Sequence, residues 1–75
     1  MENENKNKEY NEKKDMANQY FKEGKYEEAI KLYSDILETD ENNHVILSNR
    51  SAAYIKLENW DEALKDAVKI GRAHV

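Results

Sequence analysis

Displacing the sequence against itself by 34 residues superimposes Tyr20 on Tyr54, Tyr26 on Trp60 and Ala29 on Ala63. The same shift places Glu28 on Glu62, Lys31 on Lys65, Ile36 on Ile70 and Ala17 on Ser51. One or two such coincidences would mean little. Agreement at this many positions, with the breaks in the apolar pattern also in register, means that the chain is built from a duplicated unit. That constrains the fold more than any composition value. Each unit must be one supersecondary element that buries its apolar face against its neighbour.

The apolar pattern says which element. Met16, Ala17, Tyr20 and Phe21 recur at helical spacing, and Gly24 then interrupts. Tyr26, Ala29, Ile30, Tyr33, Ile36 and Leu37 form a second stripe that ends in the turn-forming run Thr39 to Asn43. Val45, Ile46, Leu47, Ala53, Tyr54 and Leu57 form a third, and after Glu58-Asn59 a fourth follows with Trp60, Ala63, Leu64, Ala67 and Val68. No stretch alternates with period two, and proline is absent, so strands have no support. The pattern predicts an all-α fold of four antiparallel helices, at 8–23, 26–39, 44–57 and 60–69, stacked as two hairpins. Small Ala17 and Ser51, facing Ala29 and Ala63, let the helices of each unit approach closely. The aromatics Tyr20, Tyr54, Tyr26 and Trp60 are read as core packing, the last two anchoring the start of each second helix, and not as a stacking platform for bases.

Composition narrows the function. With 75 residues the chain is one small domain or part of an array, and its core is necessarily slight. Cysteine is absent, which removes disulfides, thiolate metal sites and a cysteine nucleophile, and permits a reducing compartment. A net charge of −4 is the wrong sign for non-specific binding to nucleic acid or an anionic membrane. His44 and His74 have no metal-ligand spacing, no serine has a partnered base, and no glycine-rich phosphate loop occurs. The acids Glu27-Glu28 and Asp61-Glu62 stand at helix starts, where the helix dipole favours them. The expectation is a binding module with no catalytic residue, no metal and no cofactor.

A helix–turn–helix unit with this period resembles the tetratricopeptide repeat, which implies a right-handed solenoid fragment of two repeats. The stretches Ala17-Asn18-Gln19-Tyr20-Phe21 and Tyr26-Glu27-Glu28-Ala29-Ile30-Lys31-Leu32-Tyr33-Ser34 resemble the first unit of the chaperone-adaptor tetratricopeptide domains. His44 to Tyr54, with its Ser-Asn-Arg-Ser-Ala-Ala-Tyr core, resembles their second. The likeness is to the Hsp-organising co-chaperones, and nearly as much to serine/threonine phosphatases with an amino-terminal tetratricopeptide domain. It implies a cytoplasmic interaction module that grips the C-terminal Glu-Glu-Val-Asp tails of heat shock proteins 70 and 90 through a carboxylate clamp. On the matching positions, the clamp residues implied are Lys14, Asn18 and Asn49. Lys14 and Asn18 are four apart and so share a helical face. An ammonium supplies a point charge to a carboxylate, and an amide can donate to it. The family's further clamp lysine and arginine belong to a third repeat that this sequence does not contain, so the clamp is incomplete here. Arg50 matches no clamp position. A targeting domain of a phosphatase, or a purely structural scaffold, are the alternative functions.

The flanks are read differently. Residues 1–12, rich in Asn, Glu and Lys, are expected to be a disordered polar leader. The two repeats occupy 13–69, divided at about 10–43 and 44–69, the second incomplete. Residues 70–75, Ile-Gly-Arg-Ala-His-Val, depart from the repeat pattern and match what a translated sequencing adapter encodes; they are read as a non-native tail.

Overall fold

The computed structural model describes the backbone of residues 2–71 and the side chains of residues 8–70. It contains α1 (Glu2–Lys22), α2 (Tyr26–Thr39), α3 (His44–Lys56) and α4 (Trp60–Gly71), and no strand among the described residues. Consecutive helices pack against one another, α1 on α2, α2 on α3 and α3 on α4. The helices therefore form two hairpins stacked side by side, as the four apolar stripes require.

The turns within the two hairpins are built alike. After α1 the Gly24 amide donates to the Phe21 carbonyl at 3.1 Å and the Lys25 amide to that of Tyr20 at 2.8 Å. After α3 the Glu58 amide donates to Ile55 at 2.9 Å and the Asn59 amide to Tyr54 at 2.8 Å. Both are Schellman closures, which satisfy orphan carbonyls and put one residue in the left-handed region. That residue is Gly24, at φ 82°, in the first hairpin and Glu58, at φ 60°, in the second. Only glycine adopts this conformation freely. A Cβ on Gly24 would meet no neighbouring atom. Its replacement by alanine is therefore expected to cost about 1 kcal/mol, from backbone conformation alone. Glu58→Gly is expected to stabilise by about 0.5–1 kcal/mol, for the same reason with opposite sign. Urea denaturation of the two variants checks both signs; a Glu58→Gly protein less stable than its parent would refute the account.

Between the hairpins the chain turns on Asp40 and Asn43. Asn43 caps α3, its side-chain oxygen accepting from the Ile46 amide at 3.1 Å. Its Nδ2 donates to Asp40 Oδ2 at 3.0 Å and to the Tyr10 hydroxyl at 3.2 Å, which ties the middle of α1 to this turn.

The core lies where α1, α2 and α3 meet. Ala17, Ala29 and Ile46 are fully buried, with Tyr33, Ile36, Leu37 and Leu47 nearly so. Tyr10, Tyr20, Phe21, Leu32 and Ile70 pack around them. In the second hairpin Ser51 and Ala63 are buried, and the Ser51 hydroxyl donates to the Ala63 carbonyl at 3.0 Å. The four small positions thus do what their place in the repeat predicts. They bring two backbones close.

Three expectations need correction. Helix α1 begins at Glu2 and not at residue 8, so it extends into the stretch expected as a polar leader. No Gly or Pro interrupts residues 1–23, and Glu and Lys are good helix formers. Trp60 is 60% exposed and does not anchor α4 as Tyr26 anchors α2. Tyr26 packs edge-on to Phe21, with ring centroids 5.1 Å apart. In the second hairpin Ile55 takes the place of Phe21 and is itself exposed. Finally, α4 runs to Gly71 and not to residue 69, and Ile70, in the stretch read as a non-native tail, packs on the core. Residues 72–75 of that tail lie outside the described residues.

Candidate functional site

Lys14 and Asn18 lie one turn apart on α1, and Asn49 lies on α3. All three side chains are half-buried. Lys14 Nζ sits 5.4 Å from the centroid of the Tyr10 ring, so its ammonium rests on an aromatic face while remaining free of any carboxylate among the described residues. Asn18 Oδ1 accepts a hydrogen bond from the Tyr33 hydroxyl of α2. Tyr33 is 1% exposed, and burial pushes its phenol above the ordinary tyrosine range, so the hydroxyl keeps its proton. The structure therefore brings Lys14, Asn18 and Tyr33 into one group. Asn49, on α3, makes no hydrogen bond to any of them among the described residues.

Arg50, adjacent in sequence to Asn49, is turned to other work. Its Nε and Nη2 donate to Asp66 Oδ2 and Oδ1 at 2.8 and 2.7 Å, and its Nη1 donates to the Ser34 hydroxyl at 3.0 Å. The hydrogen bonds to Asp66 raise the guanidinium's pKa above its already high ordinary value. Its Cζ also lies over the Tyr54 ring, 5.8 Å from the centroid. A ligand carboxylate would have to compete with a bidentate, buried partner for this arginine.

Tyr33 makes a polar contact that sequence spacing does not disclose. Helical spacing places it in the apolar stripe of α2, where its ring does belong. A signal existed: the 34-residue shift sets Tyr33 on Ala67, so repeat packing alone does not demand an aromatic with a polar tip here. Elsewhere, a shallow depression between α1 and the end of α2 is lined by Glu9, Lys13, Asp35 and Asp40, charges of both signs that define no ligand. Among the described residues no group of three His, Asp or Glu side chains is placed to hold a metal ion. No described helix is long and apolar enough to cross a membrane.

Paired helices of this length, stacked as consecutive hairpins with small residues buried between them, define a helical-repeat scaffold. The tetratricopeptide repeat family model matches residues 20–65, and the chain belongs to that family. It is a tetratricopeptide protein-interaction module. Among curated proteins it is 46% identical over 56 residues to the Hsp70-Hsp90 organising protein of Plasmodium falciparum, an alignment covering 75% of this chain and 22% of the relative. It is 45% identical over 58 residues to human serine/threonine-protein phosphatase 5, covering 77% of this chain and 12% of that protein. Human tetratricopeptide repeat protein 28 is 44% identical over 61 residues, covering 81% of this chain and 2% of the relative. The chain thus spans only a small part of the length of each relative.

Proposed function

We propose that this module binds the acidic C-terminal tails of heat shock proteins 70 and 90 as part of a cytoplasmic co-chaperone, with Lys14, Asn18 and Asn49 meeting the tail's carboxylates. The observation that carries the reading is the pairing on α1: an ammonium free of any carboxylate among the described residues, and, one turn on, an amide whose oxygen is already engaged. Such a pair offers one positive charge and N–H donors, the groups a peptide's terminal carboxylate needs. The similarity to an Hsp70-Hsp90 organising protein supports this partner class. Nearly equal similarity to a serine/threonine-protein phosphatase supports a second reading, in which the same module targets a phosphatase to such partners.

Titration calorimetry with an acetylated Glu-Glu-Val-Asp peptide tests the reading. Lys14→Ala and Asn49→Ala are each expected to weaken binding about tenfold or more, the loss expected for one charge-assisted hydrogen bond. Capping the peptide's C-terminus as an amide is expected to do at least as much. Equal affinity for free and capped peptides, or unchanged affinity in both variants, would overturn the proposal.

A further inference from the structure

We propose that Tyr33 is a positioning residue for ligand recognition: its buried hydroxyl locks the Asn18 amide with the oxygen inward, so that Asn18 presents only N–H donors to a ligand carboxylate. The inference rests on the binding reading above and adds to it the group that gives Asn18 its polarity.

An asparagine amide is ambivalent, because one end accepts and the other donates. Left unconstrained, Asn18 could turn its oxygen outward, where it would repel a carboxylate. Tyr33 removes that choice. Its hydroxyl is closed off from solvent, so its proton must find an acceptor within the fold or go unsatisfied, and an unmet buried donor is costly. Asn18 Oδ1 is the acceptor, and no buried side-chain nitrogen or oxygen among the described residues lacks a partner. The reverse orientation would point Nδ2 at the phenol and strand the phenol's proton. With Oδ1 held, Nδ2 makes no hydrogen bond to any other described residue. Lys14 is one turn away on the same face.

The ring and the hydroxyl of Tyr33 have separable roles. The ring fills the core between α1, α2 and α3, a task phenylalanine can perform. The hydroxyl has one partner, Asn18, so Tyr33→Phe removes the lock and leaves the packing.

The test compares wild type, Tyr33→Phe, Asn18→Ala and the double variant, each against the acetylated Glu-Glu-Val-Asp peptide with a free or an amidated C-terminus. Tyr33→Phe is expected to bind the free acid about three- to tenfold more weakly, the loss of a single neutral hydrogen bond's influence. Its preference for the free acid over the amide should shrink by a similar factor, because a flipped Asn18 can accept from an amide. A general loosening of the fold would weaken both peptides equally. The double variant should bind no worse than Asn18→Ala alone. Undiminished preference for the free acid in Tyr33→Phe, or additive losses in the double variant, would overturn the inference. If the wild-type chain binds neither peptide, the tail-binding reading fails by itself. The Asn18 side-chain amide resonances then decide the positioning claim: they must shift in Tyr33→Phe for the lock to stand, and unmoved resonances refute it.

Discussion

Asp66→Ala is expected to cost the protein about 3–5 kcal/mol, because it leaves a half-buried guanidinium without its buried counter-ion. The Asp66 side chain is 4% exposed and that of Arg50 only 18%. Both carboxylate oxygens are taken by the guanidinium at hydrogen-bond distance. Removing the carboxylate leaves a half-buried cation whose remaining hydrogen-bond partner is the neutral Ser34 hydroxyl. The cost is that of an uncompensated charge and not the net worth of the pair, which against an apolar replacement is small. The combined Arg50→Met, Asp66→Leu protein is therefore expected to recover most of the loss. For a chain of this size each kcal/mol moves the midpoint by about 4–8 °C, so Asp66→Ala should melt at least about 12 °C lower. Thermal denaturation followed by circular dichroism reads this directly. The Lys65–Glu62 pair, whose side chains are 71% and 43% exposed, serves as the control. Glu62→Gln should change stability by less than about 1 kcal/mol. Equal effects at Asp66 and Glu62 would show that burial does not distinguish the two pairs.

Ile46→Ala is expected to be the next most damaging change, at about 2–5 kcal/mol. Ile46 is fully buried in the first turn of α3, in the cluster shared with Ala17, Ala29 and Tyr33. Alanine leaves a void that neighbours on three helices cannot easily close. The fully buried alanines in that cluster already hold the backbones close. The residue before it supplies the contrast. Val45 is 59% exposed, and Val45→Ala should fall within about 0.5 kcal/mol of the parent. Comparable losses at both positions, measured by urea denaturation, would mean that burial does not set the cost in this turn.

The helices were legible because two independent signals agreed. Apolar spacing gave their type, and the 34-residue self-match gave their boundaries through Gly24 and the Asp40–Asn43 turn. The start of α1 was not legible, because Asn, Glu and Lys in alternation are compatible with helix or coil. Trp60 misled for a different reason. Similar residues at equivalent repeat positions share a role only when their neighbours are also equivalent, and Ile55 does not reproduce Phe21. For the site, the i and i+4 spacing put Lys14 and Asn18 on one face without a structure. The partner of Asn18 could not be read that way. Tyr33 is fifteen residues distant in sequence, on another helix, and only the packing of α1 on α2 brings the hydroxyl to the amide. Arg50 and Asp66 pose the same difficulty, since a buried ion pair across two helices leaves no mark on local periodicity.

The three-helix junction at Arg50 also bears on how the molecule comes apart. In a repeat array, stability is a sum of unit and nearest-neighbour interface terms, and terminal units can fray on their own. Here Ser34 belongs to the first hairpin, while Arg50 and Asp66 belong to the two helices of the second. Detaching α4 strips the guanidinium of its counter-ion, and separating the hairpins strips it of its hydroxyl. Opening at either boundary takes a partner from the same guanidinium, the larger loss falling where α4 detaches. The amide hydrogens of α2, α3 and α4 are therefore expected to exchange through a shared opening event, and native-state hydrogen exchange would show it as a common opening free energy across the three helices.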